Sequence, residues 1–264
     1  EMIIQDSNAT VEKEFRFAVV MYGGISLAIY INGVAQELYK LVRATARKSN
    51  EDGSPGPYVV EEPDQIERIY RQLGAHLQAR FVIDILSGTS AGGINAVFLA
   101  KALANEQSMS NLERLWVDEG DIRKLINDKE SIEKIDGLRV AQHPASLLNS
   151  ERMYYQLLDA LNKMDINHPM TAQHRSPFVE ELDLFVTATD IRGLAVPVPL
   201  ADREVHEYRY RTVFRFSYST EDASGSRTQD FVRSNNPFLA FAARATSSFP
   251  FAFQPIKLGD VQSI

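Results

Sequence analysis

A serine hydroxyl attacks a carbonyl only when a base takes its proton and N–H donors receive the oxyanion. Ser90 has surroundings of that kind, in Gly88-Thr89-Ser90-Ala91-Gly92 with Gly93 next. Ahead of it, Val82, Ile83, Ile85 and Leu86 make a brief β-branched run that reads as a buried strand. Behind it comes an apolar stretch long enough for a helix. Strand, G-x-S-x-G and helix is the context in which this motif marks a nucleophile elbow. Small residues at Gly88 and Gly92 keep the sharp turn free of clashes, so Ser90 projects from the end of the sheet. The helix that follows points its positive end at the hydroxyl, which favours negative charge developing there. The competing reading is a glycine-rich turn with Ser90 as an ordinary N-cap.

Oxyanion donors are easier to name than a base. Gly23-Gly24-Ile25 lies between the first strand and its helix, where backbone N–H groups can point outward into a site. Parallel strands ending at one sheet edge would bring this turn beside Ser90; alternatively, the glycines serve turn geometry only. For the base, the order Ser90, Asp190, His206 matches an α/β-hydrolase triad. His206, however, sits in the charged stretch Arg203-Glu204-Val205-His206-Glu207, which reads as an exposed strand end. His76, His143, His168 and His174 carry no motif around them. The other option is a Ser-Asp dyad.

These residues need elements to position them. Residues 15–21 (FRFAVVM) read as a first buried strand. A helix follows from Ile25, with Ile31, Val34, Ala35, Leu38, Leu41 and Val42 in helical spacing and a basic end at Arg43, Arg47 and Lys48. Residues 49–63 are polar and rich in Gly and Pro, hence a loop. Residues 64–79 form a second amphipathic helix with Ile66, Ile69, Tyr70, Leu73 and Leu77 on one face. From about 105 to 177 the pattern suggests short helices around Leu112, Leu115, Trp116, Ile122, Leu125 and Ile126. Ser150 would cap a further helix whose face is Met153, Leu157, Leu158 and Leu161. Residues 182–191 read as a buried strand ending at Asp190, and residues 207–218 as a strand with one wet face. Residues 237–245 form a short helix running into Ala245-Thr246-Ser247-Ser248-Phe249-Pro250. Such alternation of strands and helices argues for a mainly parallel sheet covered on both faces.

The chain has 264 residues, 44% hydrophobic and 24% charged, which are ordinary globular values. With 28 Lys and Arg against 35 Asp and Glu, its formal charge of −7 argues against a nucleic-acid partner. Having no cysteine, it can hold no disulfide and no thiolate metal site. Neither an H-E-x-x-H motif nor a carboxylate cluster calls for a metal, and no cofactor is expected. No apolar run reaches the roughly 18 residues a transmembrane helix needs, and the first residues carry no secretion signal. A cytoplasmic location, or one peripheral to a membrane, is expected. The chain opens Glu1-Met2, so a trimmed or altered start is expected too.

Four stretches taken together, GGISLAIYINGVAQEL, ILSGTSAGGINAVFLAKALA, LFVTATDIRG and AARATSSFPFAFQP, resemble the patatin-like phospholipases. More narrowly, they are similar to bacterial patatin-like proteins whose first glycine turn reads GG-[VI]-S-L-A; LERLWVDEGDI and HPASLLNSERMYYQLL resemble that subgroup as well. The resemblance implies a three-layer α/β/α fold with a mainly parallel central sheet and a helical insertion. It also implies fatty-acyl ester substrates such as phospholipids, met by transient contact with a membrane surface. By the same carry-over Ser90 is the nucleophile, and Gly23, Gly24 and Ile25 form the oxyanion hole. Two departures stand out. Where the wider family has D-G-G-G-x-R-G, this chain has Met21, Tyr22 and Ser26 in place of the aspartate, first glycine and arginine. The family's catalytic aspartate lies in a D-G-[GA] motif after the S-S-F-P segment, and no such tripeptide follows here; Gly259-Asp260-Val261 has the wrong order. The aspartate is therefore expected beyond Ile264. The division expected is a lead-in at 1–14 and an acyl hydrolase domain at 15–264, incomplete at its C-terminal side, with 106–178 as a helical insertion. The rival reading is a catalytically silent module of the same fold that binds lipid or protein.

Overall fold

The computed structural model describes residues 13–24, 26–50, 54–120, 122–132, 135, 138, 144–169, 174–220 and 226–261. Most of the expected lead-in, together with Ile25 and His143, lies outside the described residues.

Two crossovers set the frame. Strand β1 (Lys13–Met21) leads through α1 (Ala28–Thr45), the short strands β2 (Arg47–Ser49) and β3 (Pro55–Tyr58), and α2 (Gln65–Leu77) to β4 (Ala79–Thr89). From β4 the chain passes through α3 (Ala91–Asn105) and a helical stretch to β5 (Glu181–Pro199). β1, β4 and β5 run parallel, so their C-terminal ends share one edge. β6 (Glu204–Ser219) and β7 (Thr228–Gln229) then add antiparallel, giving the order β1-β4-β5-β6-β7. Central strands that are mostly parallel, flanked by helices, make this the layered α/β/α fold.

Helix α3 is the axis of the core. All 15 of its residues are buried, which is why it is apolar on every side rather than on one stripe. Helix α7 (Asn236–Thr246) packs on it and on β5, with Phe238 and Phe241 edge-on to Phe214. A buried ion pair braces these helices: Lys101 Nζ on α3 lies 3.0 Å from Asp165 on α6 (Ser150–Asn167) and 2.7 Å from the Phe231 carbonyl. Asp165 also accepts from Asn236, the first residue of α7, at 2.7 Å.

Several elements differ from the sequence reading. β1 is a strand, but not a buried one: Phe15, Phe17 and Val20 are exposed. It ends the sheet, and among the described residues no strand pairs with its outer edge. Helix α1 stops at Thr45, because Ala46 turns to an extended backbone; Arg47 and Lys48 belong to β2, not to a helical last turn. The stretch 49–63 thus holds half of a small hairpin, fixed where Tyr58 lies between the guanidiniums of Arg47 and Arg71, 4.4 and 4.2 Å away. Helix α2 has a full capping box, Asp64 with Glu67, yet its stripe of Ile66, Ile69, Leu73 and Leu77 faces outward.

Between α3 and β5 the described elements are α4 (Ser110–Arg114), a π-helical turn (Leu115–Glu119), α5 (Ile122–Leu125), a 3-10 turn (Glu130–Ile132) and α6. Asn149 rather than Ser150 caps α6, accepting from the Arg152 N–H at 2.9 Å. Met153, Leu157 and Leu161 are buried as the periodicity requires. Trp116 is half-buried against the core. β5 runs well past Asp190: it and β6 continue together to the Pro199–Glu204 pair.

Candidate active site

Only Ser90 stands between β4 and α3. The turn is so tight that Ser90 takes φ 56° and ψ −128°, a conformation that L side chains rarely adopt. Its carbonyl accepts the Ile94 N–H at 3.0 Å, the first bond of the helix. Its side chain makes no capping bond, so the reading of Ser90 as an ordinary N-cap fails. Among the described residues the half-buried Oγ has no hydrogen-bond partner, and the 15-residue helix directs its positive end at it.

The glycines explain how so much backbone converges here. A Cβ on Gly88 would stand 2.5 Å from the Gly92 carbonyl oxygen, and one on Gly92 would run into that of Met21 at the end of β1. A Cβ on Gly23 would stand 2.5 Å from Ser90 Cβ and 3.2 Å from Ser90 Oγ. The parallel register, Met21 beside Gly88, brings the diglycine turn to the serine. Among the described residues neither the Gly23 nor the Gly24 N–H has an acceptor. Gly23, Gly88, Ser90 and Gly92 therefore form one cluster, with Gly24 next to Gly23 in the turn.

The triad candidates do not join it. Asp190 is exposed and accepts from the Arg192 N–H at 2.9 Å. His206 pairs with Pro197 seven residues out from Val213, which pairs with Thr187; at about 3.4 Å per residue that is about 24 Å away. Its imidazole is exposed, 3.7 Å from Glu204.

Three groups of polar contacts around the elbow had no role assigned from the sequence, although their residues lie within the four stretches that carry the resemblance. Thr246 Oγ1, at the end of α7, accepts the Ser90 N–H at 2.8 Å and donates to the Thr187 carbonyl at 2.6 Å. The Thr89 and Thr187 hydroxyls lie 2.6 Å apart beside it. Asn32 on α1 donates to Asn95 on α3 at 3.1 Å, and Asn95 donates to the Ala91 carbonyl at 2.9 Å. That pair locks the helix after the diglycine turn to the helix after the serine. The available signal was an asparagine within each apolar helical run, since a buried amide is kept only where it is hydrogen-bonded.

Residues 19–262 match the family model described as Patatin-like phospholipase. A Mycobacterium tuberculosis protein described as an uncharacterized membrane protein is 31% identical over 249 residues, covering 92% of this chain and 21% of that protein. The chain thus spans about a fifth of that relative's length. No solved structure matches.

Proposed function

The chain belongs to the patatin-like phospholipase family, and from that premise we propose that it is a serine lipid acyl hydrolase of phospholipase A or lysophospholipase type. Ser90 Oγ attacks the acyl carbonyl of a phospholipid or other fatty-acyl ester while a carboxylate takes its proton. The N–H groups of Gly23, Gly24 and Ile25 receive the oxyanion, and Gly88 and Gly92 hold the elbow. Collapse of the intermediate breaks the C–O bond to the alcohol, which leaves with that proton. Water then attacks the acyl-enzyme, releasing the fatty acid and restoring Ser90. No helix among the described residues is long and apolar enough to cross a membrane. The protein in this reading is cytoplasmic or peripheral, meeting its substrate by transient surface contact.

The observation that carries this reading is the uncapped Ser90 hydroxyl at φ 56°, packed against Gly23. The proton acceptor is the family's D-G-[GA] aspartate, a tripeptide that does not occur in these 264 residues. The second reading is a catalytically silent module of the same fold that binds lipid or protein. Hydrolysis of fluorogenic acyl esters and phospholipid vesicles by the complete protein, with its D-G-[GA] aspartate, decides between them. Ser90→Ala should abolish turnover; equal hydrolysis by both proteins removes Ser90 from the chemistry, and none by either favours the silent module.

A further inference from the structure

Helix α3 is wholly buried, yet it carries three polar side chains. Two of them, Lys101 and Asn105, share the Phe231 carbonyl at 2.7 and 2.8 Å. The third, Asn95, lies fully buried in the second turn, where an amide is kept only for its hydrogen bonds. Those bonds reach both halves of the candidate site. Asn95 Nδ2 donates to the Ala91 carbonyl at 2.9 Å and, at a longer 3.5 Å, to the Ala28 carbonyl. Its Oδ1 accepts from Asn32 Nδ2 at 3.1 Å. Ala91 follows Ser90 and opens α3, whereas Ala28 opens α1. Gln36 donates to Asn32 Oδ1 at 2.8 Å, which leaves the Asn32 Nδ2 for Asn95. Turning the Asn95 amide over would aim its oxygen at two carbonyls and its nitrogen at another donor, so the network fixes its orientation.

Packing at the elbow limits only how closely the two halves approach, as the contacts a Cβ on Gly23 or Gly92 would make show. It does not stop them from sliding or drawing apart. The sheet does so as far as Met21, which is paired with Gly88. Beyond that point the diglycine turn is tied to α1: Leu27 N–H donates to the Gly24 carbonyl at 3.2 Å, and Ile31 N–H to that of Leu27 at 2.8 Å. Helix α1 meets α3 through apolar packing, which is non-directional, and through directed bonds, which set register. Among the described residues, the side-chain hydrogen bonds joining these two helices all pass through Asn95.

We propose that Asn95 is a positioning residue for acyl transfer, its amide holding the diglycine turn at the distance from Ser90 where the Gly23 and Gly24 N–H groups meet the oxyanion. The proposal rests on the acyl hydrolase reading. It is tested in the complete protein, with its D-G-[GA] aspartate. Asn95→Leu combined with Asn32→Leu removes both amides. The Ala28 and Ala91 carbonyls keep their helical N–H partners and Gln36 keeps Glu113 at 3.2 Å, so no buried polar group is orphaned. The midpoint of urea denaturation should therefore change little, while kcat falls by about 10–100-fold and KM stays within about threefold. A trifluoromethyl ketone, which places an oxyanion on its Ser90 adduct, should lose affinity in step with kcat. The matching alcohol, which forms no adduct, should bind as it does to the parent. Thr45→Val is the control. That buried hydroxyl accepts the Phe81 N–H at 3.1 Å and donates to the Leu41 carbonyl at 3.0 Å, at the far end of α1, about 25 Å from Ala28. Its loss should cost stability and leave kcat unchanged. Should the double variant unfold, Asn95→Ser gives the same reading, since its short hydroxyl bonds the Ala91 carbonyl but cannot reach α1. Parent kcat in a folded variant, ketone affinity that holds while kcat falls, or a Thr45→Val protein equally slow overturns the proposal alone. A parent whose turnover survives Ser90→Ala defeats the hydrolase reading and the proposal with it.

Discussion

Replacing Thr246 with valine isolates a single hydroxyl at the elbow. Valine has nearly the shape of threonine but no hydroxyl, so both the Ser90 N–H and the Thr187 carbonyl lose their partner. An unsatisfied buried backbone group costs about 1–3 kcal/mol, and at this half-buried site the low end applies to each, roughly 2–3 kcal/mol together. Holding a non-glycine residue in a sparsely populated backbone region costs about 1–3 kcal/mol as well. The two magnitudes are comparable, so the elbow can relax once the bond is gone. A shift of about 1 Å in a reacting atom costs about 100-fold in rate. Thr246→Val should therefore lower kcat by about 10–100-fold with KM within about threefold. Whatever strain the relaxing turn releases should reduce the loss of stability seen in urea denaturation. Thr246→Ser keeps both bonds and loses only the methyl packed where a Gly93 Cβ would stand, 2.7 Å from Thr246 Cγ2, so it should restore most of kcat. The assay is steady-state ester hydrolysis alongside the rate of covalent labelling by a fluorophosphonate, which reports Ser90 alone. Wild-type kcat and labelling in a folded Thr246→Val protein would refute the argument. A Thr246→Ser protein as slow as the valine variant would refute it too, since the methyl would then be the group that matters.

Two further outcomes follow from other parts of the fold. Gly23→Ala puts a methyl 2.5 Å from Ser90 Cβ and must push the diglycine turn away from the hydroxyl. Loss of aligned oxyanion donors should lower kcat by about 100-fold or more with little change in the circular dichroism spectrum; a variant that turns over normally would take Gly23 out of the oxyanion site. At the start of α2, Asp64→Ala should cost about 1 kcal/mol near neutral pH. The Glu67 N–H bonded to the Asp64 carboxylate, aided by Lys40, holds its pKa below the ordinary 3.8. A depressed folded-state pKa contributes stability in full above 3.8 and loses it as pH falls through the lower folded value. The gap between wild type and variant in urea denaturation should therefore close on acidification, and a gap independent of pH would show that the charged cap contributes nothing.

The elbow could be read in advance because its physics is local. A strand, a turn too tight for side chains and a helix lie within about twenty consecutive residues, and small residues at Gly88 and Gly92 report the crowding directly. The pairing of Gly23 with Ser90 needed only one further step, that parallel strands end at a common edge. Burial was harder to read, because apolar periodicity tells which residues share a face and not whether anything covers it. β1 and the α2 stripe are both correctly periodic and both exposed. The end of α1 was misread for a related reason. Basic residues after an apolar helix suit a last turn, but Arg47 had a better partner in Tyr58, eleven residues on.

Thr246 marks the limit of such reading. It lies 156 residues from the serine whose amide it holds, and threonine at a helix end invites many explanations. Its role is set by packing: Lys101, Asp165 and Asn236 fix where α7 begins, and at the last of its eleven residues the hydroxyl arrives between Ser90 and Thr187. The buried ion pair is thus tied to the site through the placement of a helix rather than by contact. Residues that hold a serine in a strained turn can be drawn from any segment whose far end is anchored, so they surface only when the hydrogen bonds of that serine's own backbone are traced.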